Sequence, residues 1–278
     1  MKSSTIDAVN AGSDNPMQSL HGIDWDLNTE IATIVLNRPE QHNALGLTNA
    51  IALAQAINEV IAIKPRSLII KSRGSIFCAG GDISEFKLAG ENLEVLVSDI
   101  LDVLLPAYLK LAQATFPVIS LISGSVGGAG IGLALCADFV LASDTMKLRT
   151  GYSAIGLSPD VGASYFLSKR IGTIRAKQWL MLSQAVDAQR CLAAGAVDQV
   201  YPVGELEAAG DALALQLAHM APHSLAAIKY LSNETPHLSL QAYLSLEQQL
   251  LRNCAQTSDA IEGITAFLEK RHPEFTGR

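Results

Sequence analysis

The sequence is poor in the groups that mark redox, disulfide or nucleic-acid chemistry. Its 278 residues hold four cysteines, Cys78, Cys136, Cys191 and Cys254, scattered with no C-x-x-C pair. Such spacing offers no dithiol motif and fits reduced, mostly buried thiols in an intracellular chain. Basic residues are outnumbered, 20 against 27 acidic, for a net charge of −7. Binding to nucleic acid usually begins with phosphate neutralisation, so a nucleic-acid partner is not expected. No run approaches the roughly 18 apolar residues that span a bilayer, and no apolar core precedes Gly12 to form a secretory signal. A soluble, cytoplasmic protein without a membrane partner is the expectation.

What is present is core-forming material: 49% of the chain is hydrophobic, enough for one substantial domain. Residues 1–16 read as a polar, disordered tail. Ile31–Leu36 is a β-branched run ending at Asn37-Arg38-Pro39, hence a strand and a turn. Thr48 is placed to cap a helix near Asn49, in which Ile51, Leu53, Ala54, Ile57 and Ile61 recur at helical spacing. Strands follow at 67–71, 117–122 and 139–142, alternating with helices at 91–113 and 133–137, which predicts an α/β core over 17–200. Beyond Ile171 the pattern turns helical, at 174–182, 188–194, 205–220, 238–254 and 261–270. Residues 201–278 therefore read as a C-terminal helical region.

Two segments carry the chemistry. Phe77-Cys78-Ala79-Gly80-Gly81-Asp82-Ile83 and Gly124-Ser125-Val126-Gly127-Gly128-Ala129-Gly130 both put small residues where a strand gives way to a turn or helix. Backbone N–H groups there can approach a ligand unobstructed, and two such loops facing one pocket can hold a developing oxyanion. The alternative is that the small residues only permit tight packing. Cys78 stands beside the first loop, but no histidine near it in sequence could activate it as a nucleophile.

These segments, with Leu36-Asn37-Arg38-Pro39, Asn43-Ala44-Leu45, Gly156–Gly162 and Glu262-Gly263…Phe267-Leu268-Glu269-Lys270, resemble the crotonase superfamily, the enoyl-CoA hydratase/isomerase fold. The resemblance runs from about Gly22 to Phe275. It implies a (ββα)n spiral core with a C-terminal helical trimerisation region, and hence a homotrimer or dimer of trimers. It also implies an acyl-CoA thioester substrate, with no metal and no cofactor apart from the coenzyme A carried by the substrate. The thioester oxygen would rest on the N–H groups of Ala79 and Ala129. Ala44, Gly80, Gly81, Asp82, Ile83 and Gly128 would lie along the substrate path, and Phe267 and Lys270 would cover the coenzyme.

One departure from the resemblance narrows the chemistry. Hydratases of the superfamily use two glutamates, and the matching positions here are Gly132 and Tyr152. Hydration needs one group to orient water and another to handle the second proton. A carboxylate does appear at Asp160, eight residues beyond Tyr152, at the place where several isomerases of the superfamily keep their working aspartate. A lone aspartate can move a double bond by taking a proton from one carbon and returning it to another. The competing role for Asp160 is the N-cap of a helix starting near Val161. Tyr152 could bond Asp160 or simply pack, and Glu85, Glu91 or Glu94 could supply a second acid or merely face solvent. An enoyl-CoA isomerase leads, with a hydratase, a thioester hydrolase resembling 3-hydroxyisobutyryl-CoA hydrolase, and a non-catalytic acyl-CoA-binding pseudoenzyme as alternatives.

Overall fold

The computed structural model describes residues 17–235 and 238–278. The expected tail, 1–16, lies outside the described residues. The described chain starts with β1 (Gln18–Leu20), β2 (Ile23–Asp26) and β3 (Ile31–Leu36), an antiparallel meander. Helix α1 (Leu47–Ile63) returns the chain to β4 (Ser67–Ser72), which runs parallel to β3 with Ile31 opposite Ser67.

From here a unit repeats: a buried strand, a short strand, then helix. β4 is followed by β5 (Ile76–Cys78), α2 (Ile83–Ala89) and α3 (Leu93–Ala112). β6 (Val118–Ile122) is followed by β7 (Ser125–Gly127) and α4 (Ala129–Leu135). β8 (Phe139–Ser143) is followed by β9 (Lys147–Arg149), α5 (Ala163–Ile171) and α6 (Thr173–Leu182). The chain continues through β10 (Val186–Asp187), α7 (Ala188–Ala194), β11 (Gln199–Tyr201) and α8 (Leu206–Ala218). It closes with α9 (Pro222–Glu234), α10 (Leu240–Ala255) and α11 (Ser258–Glu269).

The longer strands form one sheet in the order β1-β2-β3-β4-β6-β8-β11, and the short ones a second sheet, β10-β9-β7-β5. This is the expected (ββα) spiral. In the large sheet, β3, β4, β6, β8 and β11 are mutually parallel. Parallel sheets survive only when both faces are covered, which explains why all five residues of β6 are buried. One face sets Leu68, Ile70, Val118 and Ile122 into the main core with Leu53 and Ile57 of α1. The other sets Ile69, Ile119, Leu121 and Leu141 against Leu206 and Leu217 of α8. Burying each such side chain contributes about 1.5–3 kcal/mol. Helix α8 therefore belongs to the packed body, although it falls beyond the change of pattern at residue 200.

Several local expectations are corrected. Thr48 does not cap α1. The helix starts at Leu47 behind Gly46, whose N–H donates to the Asn49 side chain at 2.7 Å. The Leu47 N–H is met instead by the Glu85 carboxylate at 3.2 Å. Asp160 does not cap a helix either. α5 begins at Ala163 behind Gly162, and Val161 occupies a left-handed backbone conformation at φ 34°. Helices α2 and α9 had no counterpart in the sequence reading, because neither carries a long apolar stripe. Among the described residues, no helix is long and apolar enough to cross a membrane.

Candidate active site

The short sheet builds the site. β5, β7 and β9 lie side by side and parallel. Their C-terminal ends therefore release three loops at one edge: Ala79-Gly80-Gly81, Gly128-Ala129 and Gly151-Tyr152. Loops at the C-terminal ends of parallel strands are where open α/β sheets place ligands. Asn43 ties down the flank of the first loop. It sits at φ 51°, a left-handed conformation that asparagine tolerates, and its amide donates to the carbonyls of Arg73 (3.0 Å) and Ile76 (2.7 Å).

The two glycine loops touch through their backbones. A Cβ on Gly80 would stand 2.9 Å from the Gly128 Cα and 3.2 Å from the Ala129 nitrogen. A Cβ on Gly128 would stand 3.1 Å from the Gly80 Cα and 3.9 Å from the Gly81 nitrogen. Both glycines hold positive φ, 99° and 48°, so any other residue would be strained as well as crowded.

The Ala79 N–H is not free to meet a ligand, because it donates to the His42 carbonyl at 3.1 Å. Leu45 then pairs around Gly81: its N–H donates to the Gly80 carbonyl at 2.8 Å, and its carbonyl accepts from Asp82 at 3.0 Å. That pattern skips the Gly81 N–H, which has no partner among the described residues. On the second loop the Ala129 N–H opens α4 and is likewise unpaired. The free donors of the crevice are thus Gly81 and Ala129, two residues further along the first loop than the sequence reading placed them. The pairing segment at 42–45 decides which amides are consumed.

The third loop brings the acid. The Tyr152 hydroxyl donates to the Asp160 Oδ1 at 2.6 Å, and among the described residues no other side chain donates to that carboxylate. Burial, only partly offset by the Tyr152 hydrogen bond, raises the Asp160 pKa above its ordinary 3.8. Burial first, then the neighbouring Asp160 charge, keep the Tyr152 phenol protonated well above its ordinary range. The pair is therefore a carboxylate of raised basicity held by one phenol.

The place of the first missing glutamate is closed. A Cβ on Gly132 would lie 2.3 Å from the Val161 carbonyl oxygen, so no side chain fits there. Val161 is β-branched, and its left-handed φ is a costly conformation that persists only where surrounding packing enforces it. Nothing in the sequence signals that conformation.

The remaining candidates are placed as follows. The Asp82 carboxylate caps α2, accepting from Ser84 (3.0 Å) and Glu85 (3.2 Å), so its side chain is structural. Ile83 is 55% exposed at the start of α2, and Ala44 is buried with its carbonyl bonded to Asn49 at 2.7 Å. Glu85 is committed to α1, while Glu91 and Glu94 face solvent. Cys78 is buried, and burial pushes its thiol up to about 12, which leaves it inert as a nucleophile. Phe267 is 83% exposed on α11, and Lys270 is the exposed residue that ends that helix.

Residues 26–278 match the family described as Enoyl-CoA hydratase/isomerase. The chain belongs to that family, a group of enzymes within the crotonase superfamily. It is 32% identical over 260 residues to a probable enoyl-CoA hydratase of Rhodobacter capsulatus, covering 94% of this chain and 100% of the relative. It is also 32% identical to the trans-2-decenoyl-acyl-carrier-protein isomerase of Streptococcus mutans, covering 91% of this chain and 97% of that one. The crystal structure of a putative enoyl-CoA hydratase from Streptomyces coelicolor superposes with a TM-score of 0.88 at 28% identity, covering 98% of this chain and 100% of that one.

Proposed function

We propose that this protein is an acyl-CoA isomerase that shifts a carbon–carbon double bond, with Asp160 as the proton shuttle. The thioester carbonyl oxygen lies between the Gly81 and Ala129 N–H groups. As Asp160 takes a proton from C2 of a 3-enoyl thioester, the C–H electrons delocalise toward C4 and onto that oxygen. The two amides stabilise the resulting dienolate more than the starting carbonyl, which lowers the barrier. Asp160, whose acquired proton exchanges with solvent while the dienolate lasts, returns a proton to C4, and the double bond forms between C2 and C3. Tyr152 stays protonated throughout and holds the carboxylate in one orientation. Phe267 and Lys270 contribute an apolar face and a cation to the coenzyme.

The observation that carries this reading over hydration is the single carboxylate. Gly132 has no room for a second one, and Tyr152 stands where the other would be. Glu85 is spoken for by α1, so among the described residues no further acid is at hand to manage water. The test is a panel of 2-enoyl and 3-enoyl thioesters of coenzyme A and of acyl carrier protein. Positional isomer formation, hydroxyacyl product and free thiol are measured in parallel. Isomer formation should dominate; faster appearance of hydroxyacyl product or of free thiol would replace this reading with hydration or hydrolysis.

A further inference from the structure

Helix α2 leaves the first donor loop, yet none of its seven residues is buried. Apolar packing therefore does little to fix it, and polar contacts take that part. Asp82 closes its first turn, accepting from the Ser84 and Glu85 N–H groups. Two side chains of that turn, Glu85 and Phe86, then reach back to the segments on either side of the loop.

Glu85 crosses 38 residues of sequence to accept the Leu47 N–H, at 3.4 and 3.2 Å from its two carboxylate oxygens. Leu47 is the first residue of α1, where unmatched N–H groups and the positive end of the helix favour a carboxylate. The sequence leaves room for it: a Cβ on Gly46 would stand 1.8 Å from the Glu85 Oε2. Gly46 has an extended backbone at φ −94°, so glycine is needed there for the space and not for its conformation. Phe86 touches the donor itself. A Cβ on Gly81 would meet the tip of the Phe86 ring at 2.6 Å, and that ring is half-buried against the main core.

Segment 45–47 thus holds 80–85 at three points. The Leu45 N–H donates to the Gly80 carbonyl, the Asp82 N–H to the Leu45 carbonyl, and the Leu47 N–H to Glu85. The first two bonds flank Gly81 in sequence. The third fixes the helical turn whose aromatic ring rests on Gly81, so a shift of α2 is felt at that residue.

We propose that Glu85 is a positioning residue for the oxyanion donor: its carboxylate, lodged on the start of α1, sets the Gly81 N–H against the thioester oxygen. This rests on the reading that the Gly81 and Ala129 amides hold that oxygen, and not on which carbon receives the proton. Glu85 acts only through α2 and Gly81. Fixed dipoles stabilise developing charge because they need not reorganise during the reaction, so a loosened donor costs the transition state more than the bound substrate.

The experiment follows Glu85→Ala, Glu85→Gln and Gly46→Ala. The last puts a methyl where the carboxylate lies, and so dislodges it with Glu85 still present. On a 3-enoyl-CoA, Glu85→Ala and Gly46→Ala should each lose about ten- to a hundredfold in kcat, with KM within about threefold of native. Combined, the two should cost no more than one alone. Glu85→Gln keeps an acceptor oxygen and should recover most of the loss. Infrared spectra of bound butyryl-CoA, isotopically labelled at its thioester carbonyl, report on the donors directly. Native protein should pull the carbonyl stretch below its frequency in water, and Glu85→Ala and Gly46→Ala should return it part of the way. Variants of lower thermal midpoint that keep the native band and kcat would overturn the proposal and leave Glu85 a structural cap. A Glu85→Gln variant as slow as Glu85→Ala, with the band unmoved, would overturn it too and make Glu85 an acid of the reaction. A native band at its position in water would instead sink the amide reading on which the proposal rests.

Discussion

Replacing Tyr152 with phenylalanine removes one hydrogen bond and almost nothing else, so its consequence can be worked out. Among the described residues that hydroxyl is the sole side-chain donor to the Asp160 carboxylate, at 2.6 Å. A hydrogen bond to a charged acceptor is worth about 1.5–3 kcal/mol. It stabilises the ionised carboxylate, opposing the burial that already raises the Asp160 pKa. Without it the pKa should climb further, by about one to two units at 1.36 kcal/mol per unit. The working base is the ionised form, so the acid limb of the kcat/KM profile should move upward in pH by that amount. Above the limb the remaining rate should stay within severalfold of native, because a more basic carboxylate offsets looser orientation. The assay is isomerisation of a 3-enoyl-CoA across a pH series, with circular dichroism to confirm folding. An acid limb that stays put or moves down would refute the electrostatic argument. A plateau lost by three orders of magnitude would make Tyr152 a direct proton donor instead.

Three further outcomes rest on the same geometry. Because the folded state raises the Asp160 pKa above 3.8, it keeps that proton where the unfolded chain has lost it. The contribution to stability is fully present below the unfolded value and is lost as pH rises through the folded value. Asp160→Asn carries no charge to desolvate, so its thermal midpoint should exceed the native one at neutral pH and converge with it in acid. A native protein equally stable relative to the variant across that range would contradict the assigned shift. Gly132→Ala should be destabilised by about 1–3 kcal/mol in urea titration, since its Cβ would meet the Val161 carbonyl at 2.3 Å. Gly132→Glu should fail to gain hydratase activity for the same reason, and a stable, hydrating variant would show that the Val161 turn yields easily.

The sequence revealed the scaffold better than the site. β3, β4, β6 and β8 are apolar or β-branched runs that only a doubly covered parallel sheet accommodates, and they are legible for that reason. The short strands β5, β7 and β9 are three residues each, too brief to show alternation. Yet they, with the pairing segment at 42–45, set which amides face the crevice. The glycine loops were therefore recognisable as donors while the particular donor was not: the Ala79 N–H is taken by His42, and Gly81 is left over. Asp160 and Tyr152 stand eight residues apart, and their hydrogen bond depends on the turn at Val161 and Gly162. A valine in a left-handed conformation is the last thing local propensity would suggest.

The most direct measurement of the account is hydrogen exchange at C2 and C4 of a 3-enoyl-CoA in deuterated water, followed by NMR. Native protein should wash deuterium into both positions. Asp160→Asn should bind the thioester with similar affinity and exchange neither. Exchange that persists in the folded, ligand-binding variant would mean that another base moves the proton.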